Sequence, residues 1–401
     1  MLALEGIKIL DLSSGYPGAF GTQILGDLGA EVINIEGRPG MTGRQAGAAG
    51  EEERRAAAYQ TINRNKKSIG LNLRLEEACH IFYQLARDAD VIVDPFRPGV
   101  TKRLDIDYQT INKINPKIIY CAITGYGQGG PYSNLPGHDI NYISIAGALN
   151  LIGEAGRKPA IPLNLLADLG GAALHATIGI LTALIARDKT GKGQYIDISY
   201  TDSVISLLTF VTAGYFRSNI VPKRGETSLS GGYPYYNLYE TKDGKFITIA
   251  CLEPWLWENL CRAIGKEDFI PFRFEEEHMV CSPESKKWEE ISSYLKQLFL
   301  TKTRDEWFEF LSQKDIPVGK VYSLDEVFAD PQVLHREMVI EVEHPTEGKI
   351  RQPGFAIKLS DTPGNVRSLP AMLGEHTAEI LTSLGYNKQR IDELRQKGTI
   401  S

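Results

Sequence analysis

The sequence lacks several features that would place it in a particular class of protein. It has five cysteines in 401 residues, and no pair of them has the Cys-x-x-Cys spacing of zinc sites or redox motifs. An odd number of scattered cysteines argues against a disulfide framework. We therefore expect a cytoplasmic protein in a reducing compartment, with no metal site and no redox cofactor.

Basic charge and long apolar runs are also scarce. The net charge is -6, whereas a nucleic-acid partner requires a basic face, so we expect none. The N-terminus has no basic stretch followed by an apolar one, and no uninterrupted apolar span reaches the length of a membrane helix. Membrane association is not expected either. Internal repeats and low-complexity tracts are absent from the sequence.

What the sequence does contain is the alternation of an α/β protein. A chain of 401 residues exceeds what one core usually supports, which predicts two domains. A strand at 7–10, a helix at 19–28 and a strand at 32–35 form a predicted βαβ unit. Glu36 ends the second strand, as in dinucleotide-binding proteins, but the glycines of the first turn lack the spacing G-x-G-x-x-G. We therefore reject an NAD site.

Basic residues follow or flank several of the predicted strands. Such runs are usually solvated faces, yet open α/β sheets bind their ligands at the carboxyl ends of the strands. Arginine offers planar, bidentate donors to phosphate. We therefore infer a phosphate-bearing ligand near the following residues: Arg38, Lys66, Lys67, Arg74 and Arg103.

Two groups able to exchange protons stand at predicted helix starts. His138 precedes a predicted helix at 139–149, and Asp168 begins one at 168–186. A helix N-terminus presents free N–H groups and a partial positive charge, which stabilise an anion. Alone, either residue is more simply a core histidine or a helix cap. Together they predict a reaction that removes a proton.

Composition also predicts the division of the chain. A hairpin is indicated by Lys242-Asp243-Gly244 between two apolar runs, and Thr303 to Glu306 form a capping box. The predicted segments are a first part of a large domain at 1–216, a linker at 217–230, a small α/β domain at 231–321, a linker at 322–340, and a return to the large domain at 341–401.

Six short motifs carry a resemblance to a known family. They are LGDLGAEV at 25–32, RPGV at 97–100, GYGQGGP at 125–131, GHDINY at 137–142, PLNLLAD at 162–168 and TGKGQ at 190–194. The chain resembles the family III CoA-transferase superfamily (the CaiB/BaiF type) and, within it, the α-methylacyl-CoA racemases. This resemblance implies an α/β fold with a Rossmann-like large domain, a smaller α/β domain and an interlocked homodimer.

The resemblance also implies roles for ten residues. Those that would hold the nucleotide and phosphates of coenzyme A, as part of an acyl-CoA thioester substrate, are Arg38, Asn72, Arg74 and Arg103. Tyr142 and Asn164 would line the site. The catalytic set would be the acid/base pair His138 and Asp168, the backbone N–H of Asp139 facing the thioester oxygen, and Glu253 reaching the histidine from the partner subunit.

Three functions stay open. A racemase would move a proton through an enolate of a 2-methylacyl-CoA, with His138 and Asp168 as the two bases. In a family III CoA-transferase, Asp168 would instead attack the thioester. A non-catalytic CoA-ester binding protein would need neither residue. The stretch Ser230 to Tyr235 is poorer in glycine than the loop of the transferases, and His138 has no task in acyl transfer, which favours the racemase.

The acyl group is left open by two departures from the racemase pattern. Characterised racemases line the acyl site with methionines, whereas this chain has only five, and Tyr200 stands where one is expected. The glycine- and alanine-rich excursion at 39–58 is longer than usual.

Overall fold

The structure is a computed structural model that describes residues 1–37, 59, 61–272, 286–344 and 348–401. These residues form two compact units. The first comprises 1–143, 163–204 and 331–401, and the second comprises 144–162 and 205–330. The domain bounds predicted from the sequence stay a prediction.

A parallel six-stranded sheet is the centre of the first unit. Its strands are β1 Lys8–Asp11, β2 Glu31–Glu36, β3 Lys66–Gly70, β4 Val91–Asp94, β5 Ile119–Thr124 and β6 Tyr195–Ser199. They lie in the order β3-β2-β1-β4-β5-β6, and every neighbouring pair is parallel. This is the doubly wound order of Rossmann folds. The predicted α/β class with a Rossmann-like large domain is confirmed.

Helices lie between these strands in the chain, and one more follows the last strand. They are α1 Tyr16–Asp27, α2 Glu76–Arg87, α3 Val100–Arg103, α4 Tyr108–Ile114, α5 Asp139–Ile145, α6 Ala148–Leu151, a π-helix Leu165–Ala173 that continues as α7 Leu174–Thr190, and α8 Tyr200–Leu207. The predicted helix at 139–149 is wrong in its length. It ends at Ile145, because Gly147 adopts a left-handed conformation (φ 84°) and starts the separate helix α6.

Both faces of the sheet are covered by helices. This is required because successive side chains of a buried strand point to opposite faces of the sheet. Ile9 of β1 packs on the face covered by α1 and α7, with Leu25 and Ile180. Its neighbour Leu10 packs on the opposite face, with Phe82 of α2. The sheet is therefore buried between two helical layers.

One helical segment among the described residues, Leu165–Thr190, is long and apolar enough to span a membrane by length and composition, with a mean hydropathy of 1.8. The sequence analysis expected no such span. Within its most apolar window 44% of the residues are buried, and Ala172, Ala176 and Ile180 belong to the core beside the sheet. One side of this helix therefore belongs to the core beside the sheet.

The second unit is built around a small antiparallel sheet. Its elements include α6, described above, and α9 Thr209–Ser218, β7 Tyr236–Glu240, β8 Phe246–Ala250, α10 Pro254–Ala263, α11 Lys286–Phe299, α12 Arg304–Ser312, β9 Val318–Lys320 and α13 Leu324–Val327. The predicted hairpin and the capping box of Thr303 and Glu306 are confirmed. Trp257, Phe299 and Trp307 fill its core.

The remaining elements return to the first unit. They are α14 Pro331–His335, the hairpin β10 Val339–His344 and β11 Gly348–Pro353, α15 Thr377–Ser383 and α16 Lys388–Gln396. Leu381 and Leu394 of the last two helices join the core on the α2 face of the sheet.

Candidate active site

A cavity of about 390 Å³ opens at the carboxyl edge of the parallel sheet. It is lined by residues that follow the first four strands: Leu12, Ser13, Ser14, Glu36, Gly37, Asn72, Arg74, Phe96 and Arg103 among others. Ligands of doubly wound proteins bind at this edge. Three of the four predicted CoA contacts, Asn72, Arg74 and Arg103, thus lie in one cavity. Arg38 lies outside the described residues. The CoA-binding role itself stays a prediction.

Two other basic residues are placed differently from the prediction. Lys66 is buried, and its Nζ donates to Asp11 Oδ2 at 3.1 Å, to the carbonyl oxygen of Ala19 at 2.8 Å and to Asn63 Oδ1 at 3.1 Å. All three ammonium protons are used, so a phosphate contact by Lys66 is wrong.

Lys67 lies with Lys66 at the amino end of β3, whereas Arg74 follows its carboxyl end. Its Nζ pairs with Glu31 at 3.3 Å and with Glu379 at 2.9 Å. Both partners are carboxylates of the first unit. The inference of a phosphate contact is therefore wrong for Lys67 as well.

Tyr142 fixes the turn that presents His138. Its hydroxyl donates to the carbonyl oxygen of Gly137 at 2.6 Å. A Cβ on Gly125 or Gly137 would lie 2.4 or 2.6 Å from ring atom Cε1, so only glycine fits at either position. Burial, together with the neighbouring Tyr126 and Asp168, raises the pKa of the Tyr142 phenol to about 12. Tyr142 therefore acts as a neutral donor.

The backbone of His138 is held by a residue that the sequence analysis did not single out. Asn141 Oδ1 accepts the His138 N–H at 3.0 Å, and the Asn141 N–H donates to the His138 carbonyl oxygen at 2.9 Å. This reciprocal pair of hydrogen bonds resembles a capping box. The sequence pattern that indicates it is an amide residue three positions after the residue that caps the helix. The imidazole is exposed, and Asp139, as the first residue of α5, has an N–H with no carbonyl one turn back in its helix.

Asp168 lies in the first turn of the π-helix, not at the start of a regular helix as predicted. In this wider turn, the carbonyl oxygen of one residue lies close to the Cα of the residue five positions later. A Cβ on Gly170 would lie 2.9 Å from the Leu165 oxygen, and one on Gly171 would lie 2.6 Å from the Leu166 oxygen. The pair of glycines therefore permits the π turn, an irregularity frequent at functional sites.

The surroundings of the Asp168 carboxyl favour its protonated form. Partial burial raises its pKa, and the negative charge of Asp139 adds to this effect. The Asn164 amide, whose Nδ2 donates to Asp168 Oδ2 at 3.3 Å, lowers the pKa, as does the positive charge of His138. His138, Asp139, Asn164 and Asp168 thus form one electrostatic group.

The side chain of Asp139 joins the two helix starts. Its Oδ2 accepts the backbone N–H groups of Ala167 at 2.8 Å and of Asp168 at 2.9 Å. Sequence reasoning considered only the backbone N–H of Asp139 and missed this contact, because 28 residues separate the partners and no local pattern signals it.

Three tyrosine rings pack against one another beside this group. The Tyr142 ring lies 5.2 Å from that of Tyr126 and 4.7 Å from that of Tyr200. Burial and the charge of Asp168 raise the pKa of Tyr200. Tyr200, which stands where racemases carry methionine, therefore lies near the proposed base.

Glu253 belongs to the second unit, where it is exposed and precedes the first residue of α10 as its N-cap. Its side chain makes no capping hydrogen bond. An approach of Glu253 to His138 stays a prediction.

Known proteins resemble the chain over nearly all of its length. The profile of CoA-transferase family III matches residues 4–377. Succinyl-CoA:glutarate CoA-transferase of Homo sapiens is 34% identical over 408 residues, which cover 99% of this chain and 90% of that protein. Alpha-methylacyl-CoA racemase of Homo sapiens is 32% identical over 399 residues, covering 98% and 96%.

A solved structure resembles the chain to a similar extent. The crystal structure of a CaiB/BaiF family protein from Brucella suis has a TM-score of 0.80 at 30% identity, and the match covers 96% of this chain and 99% of that one. Relatives with racemase and with transferase names thus have nearly equal identity to the chain.

Proposed function

Because the chain belongs to CoA-transferase family III, we propose that it is a racemase of 2-methylacyl-CoA thioesters. The observation that carries this proposal is the pairing of His138 with Asp168. The two residues belong to different helix starts, and the carboxylate of Asp139, the residue directly after His138, accepts the backbone N–H of Asp168 at 2.9 Å. A reaction that removes a proton from one face of a carbon and returns it to the other requires two such groups.

The reaction begins at the carbon next to the thioester carbonyl. One base removes its proton, a planar enolate forms, and the conjugate acid on the other side returns a proton to the opposite face. His138 and Asp168 alternate as base and acid in the two directions. Positioned groups of this kind contribute roughly 10²–10⁴-fold each.

The enolate oxygen needs a donor. The family resemblance gives this task to the backbone N–H of Asp139, and a single aligned donor is worth about 3 kcal/mol in the transition state. This N–H belongs to the residue directly after His138. The base and the donor are thus placed by one short turn, which Tyr142 and Asn141 hold through hydrogen bonds.

The raised pKa of Asp168 supports its role. A carboxyl at its ordinary pKa would be a poor acid near neutral pH, because too little of it would be protonated. Partial burial and the neighbouring Asp139 bring its proton affinity closer to that of an imidazole.

Coenzyme A is proposed to lie in the cavity at the sheet edge. Asn72, Arg74 and Arg103 would contact the nucleotide and its phosphates there, together with Arg38. Coenzyme A is part of the substrate, and the proposed chemistry uses no further cofactor. A cytoplasmic location also stays a prediction.

The active form is proposed to be a homodimer in which Glu253 of each subunit approaches His138 of the other. A carboxylate there would favour the imidazolium and fix its tautomer. Support comes from the first unit, where Leu174, Ile178 and Ile185 expose apolar side chains on one face of α7.

A family III CoA-transferase is the second candidate, because the transferase of Homo sapiens is as similar to this chain as the racemase. Asp168 would then attack the thioester carbon, CoA thiolate would leave, and a mixed anhydride would form on the carboxyl. Asn164, bonded to Asp168, would orient that carboxyl. His138 would have no acid/base task.

Variants of the two bases distinguish these functions. In the racemase, His138→Ala abolishes net inversion but leaves Asp168 able to exchange the α-proton of one enantiomer, and Asp168→Ala leaves the complementary exchange. NMR of each enantiomer in deuterated water, with Asp202→Asn as an exposed acidic control, measures both. Loss of CoA transfer in Asp168→Ala, with His138→Ala only modestly impaired, would establish the transferase instead.

A further inference from the structure

The first turn of the π-helix takes its cap from a distant residue. Asn164, which directly precedes this helix, makes no side-chain cap hydrogen bond. The carboxylate of Asp139 accepts two successive N–H groups instead, those of Ala167 and Asp168. These belong to the first four N–H groups of a helix, which have no partner within it.

The carboxylate is held there despite an energetic cost. Asp139 is only 5% exposed. Its second oxygen, Oδ1, is buried without a hydrogen-bond partner in the part of the chain that the structure describes. A buried oxygen of this kind is costly. An amide would cap the same two N–H groups through one oxygen, so capping alone does not require an acid.

We propose that the side chain of Asp139 is a positioning residue for Asp168, because it holds the backbone of Asp168 and places a carboxylate beside it. This inference rests on the proposed function, in which Asp168 is one of two bases. The peptide that carries His138 continues directly into Asp139, and the carboxylate of Asp139 binds the backbone of Asp168. A single residue therefore fixes the separation between the two bases.

The negative charge of Asp139 also acts on Asp168 electrostatically, and this effect is independent of the capping hydrogen bonds. It opposes ionisation of Asp168 and so contributes to the raised pKa of that carboxyl. Removing the charge while keeping the cap should therefore lower the pKa of Asp168 without moving its backbone. Asp139→Asn makes this change, and Asp139→Ala removes both the charge and the cap.

Hydrogen exchange of backbone amides tests the position without relying on activity. In Asp139→Ala the amides of Ala167 and Asp168 should exchange roughly tenfold faster than in the wild type. Asp139→Asn should keep their protection, because its amide oxygen accepts the same bonds. Mass spectrometry of a peptide covering 164–173 measures this, with Asp202→Asn as a control at an exposed acid of the same unit.

The pH profile tests the proton affinity. For α-proton exchange, kcat should fall about a hundredfold in Asp139→Ala with KM little changed. In Asp139→Asn most of the rate should return, and the acid limb of the Asp168-dependent step should move to lower pH. A merely structural role would leave that limb in place.

Two results would overturn the proposal: unchanged amide protection in Asp139→Ala, or an unshifted acid limb in Asp139→Asn. If the wild type exchanges no α-proton, the proposed function fails, and the amide exchange alone decides the positioning role. If Asp139→Ala does not fold, the acid limb of the pH profile of Asp139→Asn tests the proposal instead.

Discussion

At the scale of single residues, the site depends on polar groups that are buried beside the sheet edge. Asp94, the last residue of β4, is an example. Its Oδ1 accepts the Phe96 N–H at 2.8 Å and its Oδ2 accepts the Tyr120 hydroxyl at 3.2 Å. These bonds shape the turn that brings Phe96 to the cavity. Burial raises the pKa of Asp94 to about 6, because desolvation outweighs the hydrogen bonds.

Asp94→Asn should therefore stabilise the protein at alkaline pH. The folded pKa lies above that of the unfolded chain, so the stabilising contribution of the carboxyl is complete below the unfolded pKa of 3.8 and is lost as the pH rises through about 6. The shift corresponds to about 3 kcal/mol. Asparagine keeps the acceptor for the Phe96 N–H and avoids burying a charge.

Urea unfolding at about pH 8 and about pH 4 measures this effect. The free energy of unfolding of the variant, measured relative to that of the wild type, should be larger at the higher pH than at the lower pH. Asp88→Asn, at an exposed position, is the control. An equal change in the free energy of unfolding at both pH values would show that Asp94 does not titrate as described.

At the scale of elements, the local sequence patterns predicted strands and turns better than they predicted long-range contacts. The strands at 32–35 and 91–93 and the hairpin around Asp243 follow from apolar runs and turn residues, and the structure contains them. The π-helix was not predictable in this way, because an apolar stretch with two glycines fits a regular helix equally well. The bond from Asp139 to Ala167 was also not predictable, since it depends on tertiary packing.

The same limit applies to the basic residues. One phosphate site was predicted for Lys66, Lys67, Arg74 and Arg103, because all four lie near the ends of predicted strands. The structure separates them, because only the last two line the cavity. Lys66 has a buried partner in Asp11, and charge in the sequence does not reveal which ammonium is already paired.

Arg103→Ala should weaken the binding of CoA esters about tenfold, because a charge-assisted contact to phosphate is lost. Arg103 is exposed at the end of α3, so the melting temperature should change little. Calorimetry with an acyl-CoA measures the affinity. Lys102→Ala is the matched control, since it removes a neighbouring exposed cation that does not line the cavity. Equal effects of the two variants would contradict a specific phosphate contact.

At the scale of the whole molecule, each of the two described units has a hydrophobic core of its own. The parallel sheet of the first unit is packed on both faces, and the second unit has an aromatic core around Trp257 and Trp307. One surface of the first unit exposes several large apolar side chains. Ile178 and Ile185 of α7 are each 60% exposed, and they lie on the same side of that helix as Leu174.

Ile178→Glu should therefore dissociate the proposed homodimer. A charge in an apolar interface is costly unless it is paired. Light scattering coupled to size-exclusion chromatography should give the mass of two chains for the wild type and of one for the variant. Lys113→Glu adds an acid to another exposed helix and should leave the dimer intact. A monomeric wild type, or a variant that stays dimeric, would contradict this role of α7.

The racemase proposal requires that the enzyme breaks the bond between the α-carbon and its hydrogen. The most direct measurement is incubation of one enantiomer of a 2-methylacyl-CoA with the wild-type enzyme in deuterated water, followed by NMR and chiral analysis. Deuterium should enter C2, and optical purity should be lost. Retention of the α-hydrogen, together with transfer of CoA to an added free carboxylate, would contradict it.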